Sequence, residues 1–147
     1  MQTRDQKLNK FALYYGLFFI LIGILGFIPG LVRQVPMDAP TVGINTGYGL
    51  LMGLFAVNVV HNLVHLAIGA WGVASSRDTH QSVMFARGVA IIYGLLTILG
   101  MISATWTLFG LAPIFGHDVW LHALSALVAG YFGYGPPAHV YHPELQR

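Results

Sequence analysis

The chain has 147 residues, of which 56% are hydrophobic and 8% charged, with seven Lys and Arg against five Asp and Glu and no cysteine. Soluble domains carry about 25% charged residues, so twelve charges cannot clothe a soluble surface here; the mean hydropathy of +0.67 points the same way. The composition excludes a disulfide framework and thiolate chemistry, and a net charge of +2 with no basic run beyond Arg4, Lys7 and Lys10 excludes a nucleic-acid surface.

In chain order, MQTRDQKLNK is a polar segment, expected to be a cytoplasmic N-terminal segment over 1–10. Four apolar stretches follow. The first is 11–32, FALYYGLFFILIGILGFIPGLV, too long for a signal peptide and without a small-residue cleavage site. The second lies in 48–74, the third is 83–109 and the fourth, VWLHALSALVAGYFGY, is 119–134. A bilayer core of about 30 Å takes about 20 residues of helix, and a lipid-exposed backbone must satisfy its own hydrogen bonds. The reading is therefore an all-α membrane protein of four transmembrane helices over 11–134, followed by a Pro-rich cytoplasmic tail over 135–147 that carries His139 and His142.

The positive-inside rule orients it. Arg4, Lys7, Lys10, Arg77, Arg87 and Arg147 fall on one side and Arg33 alone on the other, so both termini face the cytoplasm. The loop after the second span is then cytoplasmic, and the loops after the first and third face outward. The expected location is the bacterial inner membrane, or a thylakoid membrane in a cyanobacterium.

The second span is longer than a bilayer requires. Asn58 is suited to cap a helix beginning near Val59, which would leave 47–57, GYGLLMGLFAV, as a separate packed segment; a single helix from near 48 is the alternative. A doubled hairpin is also legible. YGLFFILIG from Tyr15 resembles YGLLTILG from Tyr93, and superposing His65 on His122 superposes His61 on Asp118. Such a 2+2 repeat would have a pseudo-two-fold axis along the membrane normal.

The polar side chains within the apolar runs are the candidate site. Residues four apart share a helix face, so His61 with His65, and Asp118 with His122, can each point into one outer-side cluster. Imidazole with carboxylate suits a transition metal ion, and facing helices are where bundles build such sites. His65 and His122 could instead be the axial ligands of a b-type haem; a chlorin needs one of them. Asn58, Asn62 and His117 would stand behind these ligands and fix their orientation. The competing reading gives the same residues a structural task, as interhelical hydrogen bonds in an accessory subunit of a larger respiratory or photosynthetic membrane complex, or in a homo-oligomer. A proton pathway or a site for a small polar ligand is a third reading. There is no phosphate-binding loop, nucleophile elbow or HExxH motif, so the sequence does not point to an enzyme.

The blocks GILGFIPG, GLFAVNVVHNLVHLAIGAWG, YGLLTILG and DVWLH together resemble a bacterial membrane family known as domain of unknown function 4383. The resemblance spans about 11–134 and rests most on His61, Asn62 and His65 and on Leu121 and His122. Val59 stands where that family often has proline. The resemblance implies four membrane helices in a bacterial membrane and no particular chemistry.

Overall fold

The computed structural model describes residues 4–138. The protein is predominantly α-helical: α1 (Arg4–Leu25), α2 (Val59–Ser75), α3 (Thr79–Gly100) and α4 (His117–Tyr134) form an antiparallel bundle. Of these, α1 and α3 are long and apolar enough to cross a membrane, and α2 is a shorter apolar helix. The expected His139 and His142 tail lies outside the described residues beyond 138.

Local chemistry sets the helix ends. α1 stops at Leu25, and Pro29 opens a short 3-10 turn (Pro29–Leu31), so the helix is shorter than the apolar run to 32. Asn58 caps α2 by accepting from the His61 N–H at 2.9 Å, and Asp78 caps α3 by accepting from the Gln81 N–H at 2.8 Å. α3 ends at Gly100 rather than running on to 109, and a second 3-10 turn (Ser103–Thr105) carries the chain across the bundle end.

The segment before Asn58 is not helical. Three short antiparallel strands, β1 (Val32–Arg33), β2 (Gly49–Leu51) and β3 (Phe55–Val57), form a sheet in that order, with Val32 opposite Leu51 and Gly49 opposite Val57. The β2–β3 turn places Met52 and Gly53 at positive φ, 54° and 76°. A bridge from Phe55 to Gly116 ties the sheet to the start of α4. The sheet and the 101–116 loop together cap one end of the bundle; the start of α1 and the end of α4, here the termini end, lie toward the other.

α1 packs along α2 and α3 along α4, more extensively than either pair packs on the other. The α1–α2 contact depends on small residues. A Cβ on Gly16 would stand 2.7 Å from the Gly69 carbonyl oxygen, so the two backbones nearly touch. Nearer the termini the core is aromatic: Phe11 stacks on Phe132 (4.2 Å, 12°) and on Tyr15 (4.9 Å), above buried Phe85 and Ala86.

Candidate functional site

The candidate side chains gather just beneath the cap. Asn58, Asn62, His61, His65, Asp118 and His122 are all buried. The capped start of α2 sets His61 and His65 one turn apart on one face, and their rings lie 4.6 Å from centroid to centroid. His122, from the second turn of α4, brings its ring to 6.1 Å from that of His61. Tyr93 of α3 meets His122 edge-on at 5.2 Å, and Phe19 of α1 lies against His65 at 5.7 Å. All four helices thus contribute to the cluster.

Two of these residues bond across elements. Asn58 donates through Nδ2 to the carbonyls of Ile44 and Leu111, both at 2.8 Å, while its Oδ1 caps α2. One side chain therefore joins α2 to both loops of the cap. Asp118 accepts the Ala56 N–H at 3.0 Å through Oδ2, which pins β3 to α4. His117 lies apart: it is exposed, and its Nδ1 accepts from the Trp120 indole N–H at 3.0 Å, so it does not stand behind the cluster as expected.

The rest are buried with open valences. Nδ1 of His61, His65 and His122 has no hydrogen-bond partner, and neither has the amide oxygen or nitrogen of Asn62. Asn62 sits against Gly26, where any Cβ would overlap its amide. It also lines a cleft of about 300 Å³ that includes Arg33 and Thr46.

The arrangement corrects the metal and haem expectation. Among the described residues no group of three or more His, Cys, Asp or Glu side chains is placed to hold a metal ion. Asp118, expected as a ligand with His61, His65 and His122, turns its carboxylate to the Ala56 amide instead. Nor is there room for a b-type haem or a chlorin. The cavity beside His65 and His122 is about 220 Å³, below the ~300–1,000 Å³ that drug-sized ligands occupy. Helical spacing identifies residues on one face; it does not say where their lone pairs point.

Sequence reasoning missed the cavity itself. Its roof is Leu51, Phe55 and Val57 of the sheet, and its sides are Phe18, Phe19 and Ile22 of α1 and Leu121 and Ser125 of α4. The signal was available in GLL-MGL-FAV, two apolar triplets about a glycine-containing turn, which is a hairpin pattern.

No curated protein and no solved structure matches the chain. A family model does, over residues 9–135. The match takes in the cap, α1 from residue 9, the other three helices and every buried polar residue of the cluster, and by it the chain belongs to the family described as domain of unknown function (DUF4383), typically found in bacteria.

Proposed function

We propose that the protein is a four-span subunit of a bacterial membrane, with a structural or accessory role in a larger assembly or in a homo-oligomer. The observation that carries this is where the polar groups and the apolar surface go. The hydrogen bonds of Asn58 and Asp118 serve the protein's own cap, while all four helices turn large apolar side chains outward. Leu21 is 52% exposed on α1, Leu63 54% on α2, Ile98 58% on α3 and Leu127 73% on α4. Such faces call for lipid or protein neighbours.

The lengths support four spans. α1 and α3, with 22 residues each, run about 33 Å, whereas α2 and α4, with 17 and 18, run about 26 Å at ~1.5 Å per residue. The helix ends at the cap are level, with Gly26 after α1 against Asn62 of α2 and Gly100 of α3 against Val119 of α4, while Gly133 of α4 reaches only Arg87 of α3, so the two longer helices overhang away from the cap. Residues 11–134 then form the membrane domain, 1–10 and 135–147 lie in the cytoplasm, and the two hairpins relate as a 2+2 pair. Aromatic residues favour this placement: Trp106 and Trp120 are exposed near the cap, and Tyr14, Tyr131 and Tyr134 toward the other end. The cytoplasmic membrane is the proposed location, or the thylakoid in a cyanobacterium.

The absence of cysteine makes the topology directly testable. Single cysteines at Asp38 and Ser103 should react with an impermeant maleimide in intact spheroplasts, and one at Gln81 only after lysis; the reverse pattern would overturn the orientation. For the role, native purification in mild detergent should return the chain with stoichiometric partners or further copies of itself. A lone monomer from native membranes would sink the subunit reading.

A further inference from the structure

The cavity under the sheet has a side entrance. From the termini end to mid-height α1 and α4 are closed together, by Phe11 on Phe132 and by the Tyr15 hydroxyl donating to the Ser125 carbonyl at 3.1 Å. Above that level the helices part. The gap continues outward into a groove of about 250 Å³, whose walls include Leu124 and Val128 and which shares Phe18, Leu121 and Ser125 with the cavity. Phe18 and Leu124 are 44% and 51% exposed on the outer face of the bundle. The entrance therefore faces the hydrocarbon of the bilayer rather than water.

The inner end differs in chemistry. His65 and His122, 8% and 2% exposed, line it together with Asp118 and Tyr93. The Nδ1 atoms of both imidazoles are buried and unpartnered, and a buried polar group without a partner is unfavourable. A neutral imidazole presents one N–H and one bare nitrogen, so it can bond either a carbonyl or a hydroxyl oxygen. Size limits the occupant. A cavity of about 150 Å³ holds a benzene ring; one of about 220 Å³ holds one substituted six-membered ring, and any longer part must lie in the groove.

We propose that this cavity binds a neutral, lipid-soluble molecule of the quinone class, entering sideways between α1 and α4. Its carbonyl-bearing ring sits against His65 and His122, and its apolar tail lies along Phe18, Leu121 and Leu124. Phe19 and Tyr93, 5.2 Å apart by ring centroid, give the ring an aromatic wall. The assignment needs only the membrane placement and does not depend on a partner complex.

The test uses the full chain in lipid nanodiscs with decylubiquinone as probe and decylbenzene as the same tail without oxygens. Decylubiquinone should bind saturably, at about one per chain, and at least about tenfold more tightly than decylbenzene. Ser125→Phe, which fills the junction of cavity and groove, should abolish binding, and His122→Leu should weaken it about tenfold. Leu124→Trp, at the exposed rim and harmless to the core, should slow association; it serves if Ser125→Phe does not fold. Non-saturable uptake, equal binding of decylbenzene, or binding unchanged in His122→Leu and Leu124→Trp would each overturn the proposal, and the first would leave the cavity to water.

Discussion

The two ends of the bundle are held together by different forces. Toward the termini, helices meet through small residues and stacked rings: Gly16 against Gly69, and Phe11 against Phe132. Toward the cap, two side chains, Asn58 and Asp118, bond loops and strands to the helix starts, and the same layer leaves five buried polar atoms unpartnered. One end is optimised for packing. The other combines a few strong ties with unmet valences and a cavity, the usual mark of a site kept at some expense of stability.

If the cap hangs on so few bonds, Asn58→Ala should be the most damaging change in the chain. It removes the α2 cap, worth about 1 kcal/mol, and strands the Ile44 and Leu111 carbonyls, each unfavourable by about 1–3 kcal/mol. A loss of about 3–5 kcal/mol is expected in denaturant unfolding of the detergent-solubilised protein, with the termini end retaining helicity longest. A loss below about 1 kcal/mol would mean that the cap is held by packing instead.

The termini end should respond to volume. Gly16→Leu forces a branched side chain into the Gly69 and Val73 backbone, and overpacking of this kind costs about 1–3 kcal/mol. The same substitution at Gly94, where a Cβ would meet nothing within 4 Å, should be neutral by the same measurement. This pair also limits the hairpin repeat. Gly16 and Gly94 correspond in the YGL motif, yet only Gly16 is needed for close packing.

That contrast shows how much of the structure was legible in the sequence. The helices were, because long apolar runs and the cap at Asn58 leave direct marks in residue type. For α2, Asn58 offered a start at Val59 as one of two readings, and the structure takes it. The sheet was harder to see: its strands of two or three residues are too short to show alternation, and β2 and β3 carry no polar side chain. The gathering of His61, His65 and His122 was legible from i, i+4 spacing and two helix starts at one end of the bundle. Their chemistry was not, because it depends on ring orientation and on Asp118 finding a backbone amide 62 residues away in the chain. No local pattern encodes that partner.

Asp118 supplies the intermediate case. Asp118→Ala leaves the buried Ala56 N–H without an acceptor and should cost about 1–3 kcal/mol. Asp118→Asn keeps an oxygen in place and should recover most of it, since the bond asks for an acceptor and not a charge. Equal loss in both variants would show that the carboxylate acts through its charge.

The smallest expected effect separates the two kinds of polar residue at the cap. His122 has a buried, unpartnered Nδ1 and is surrounded by the rings of Tyr93 and His61. Replacing a polar group that makes no bond by an apolar one of similar size removes an unfavourable term and strands nothing. His122→Leu should therefore leave unfolding within about 0.5 kcal/mol of the parent or stabilise it by up to about 1 kcal/mol, whereas Asn58→Ala and Asp118→Ala destabilise. A loss of about 2 kcal/mol or more in His122→Leu would mean that the imidazole takes part in the cap after all. A neutral outcome places His122 among residues whose presence folding does not explain, which is the outcome that a binding role at the end of the cavity predicts.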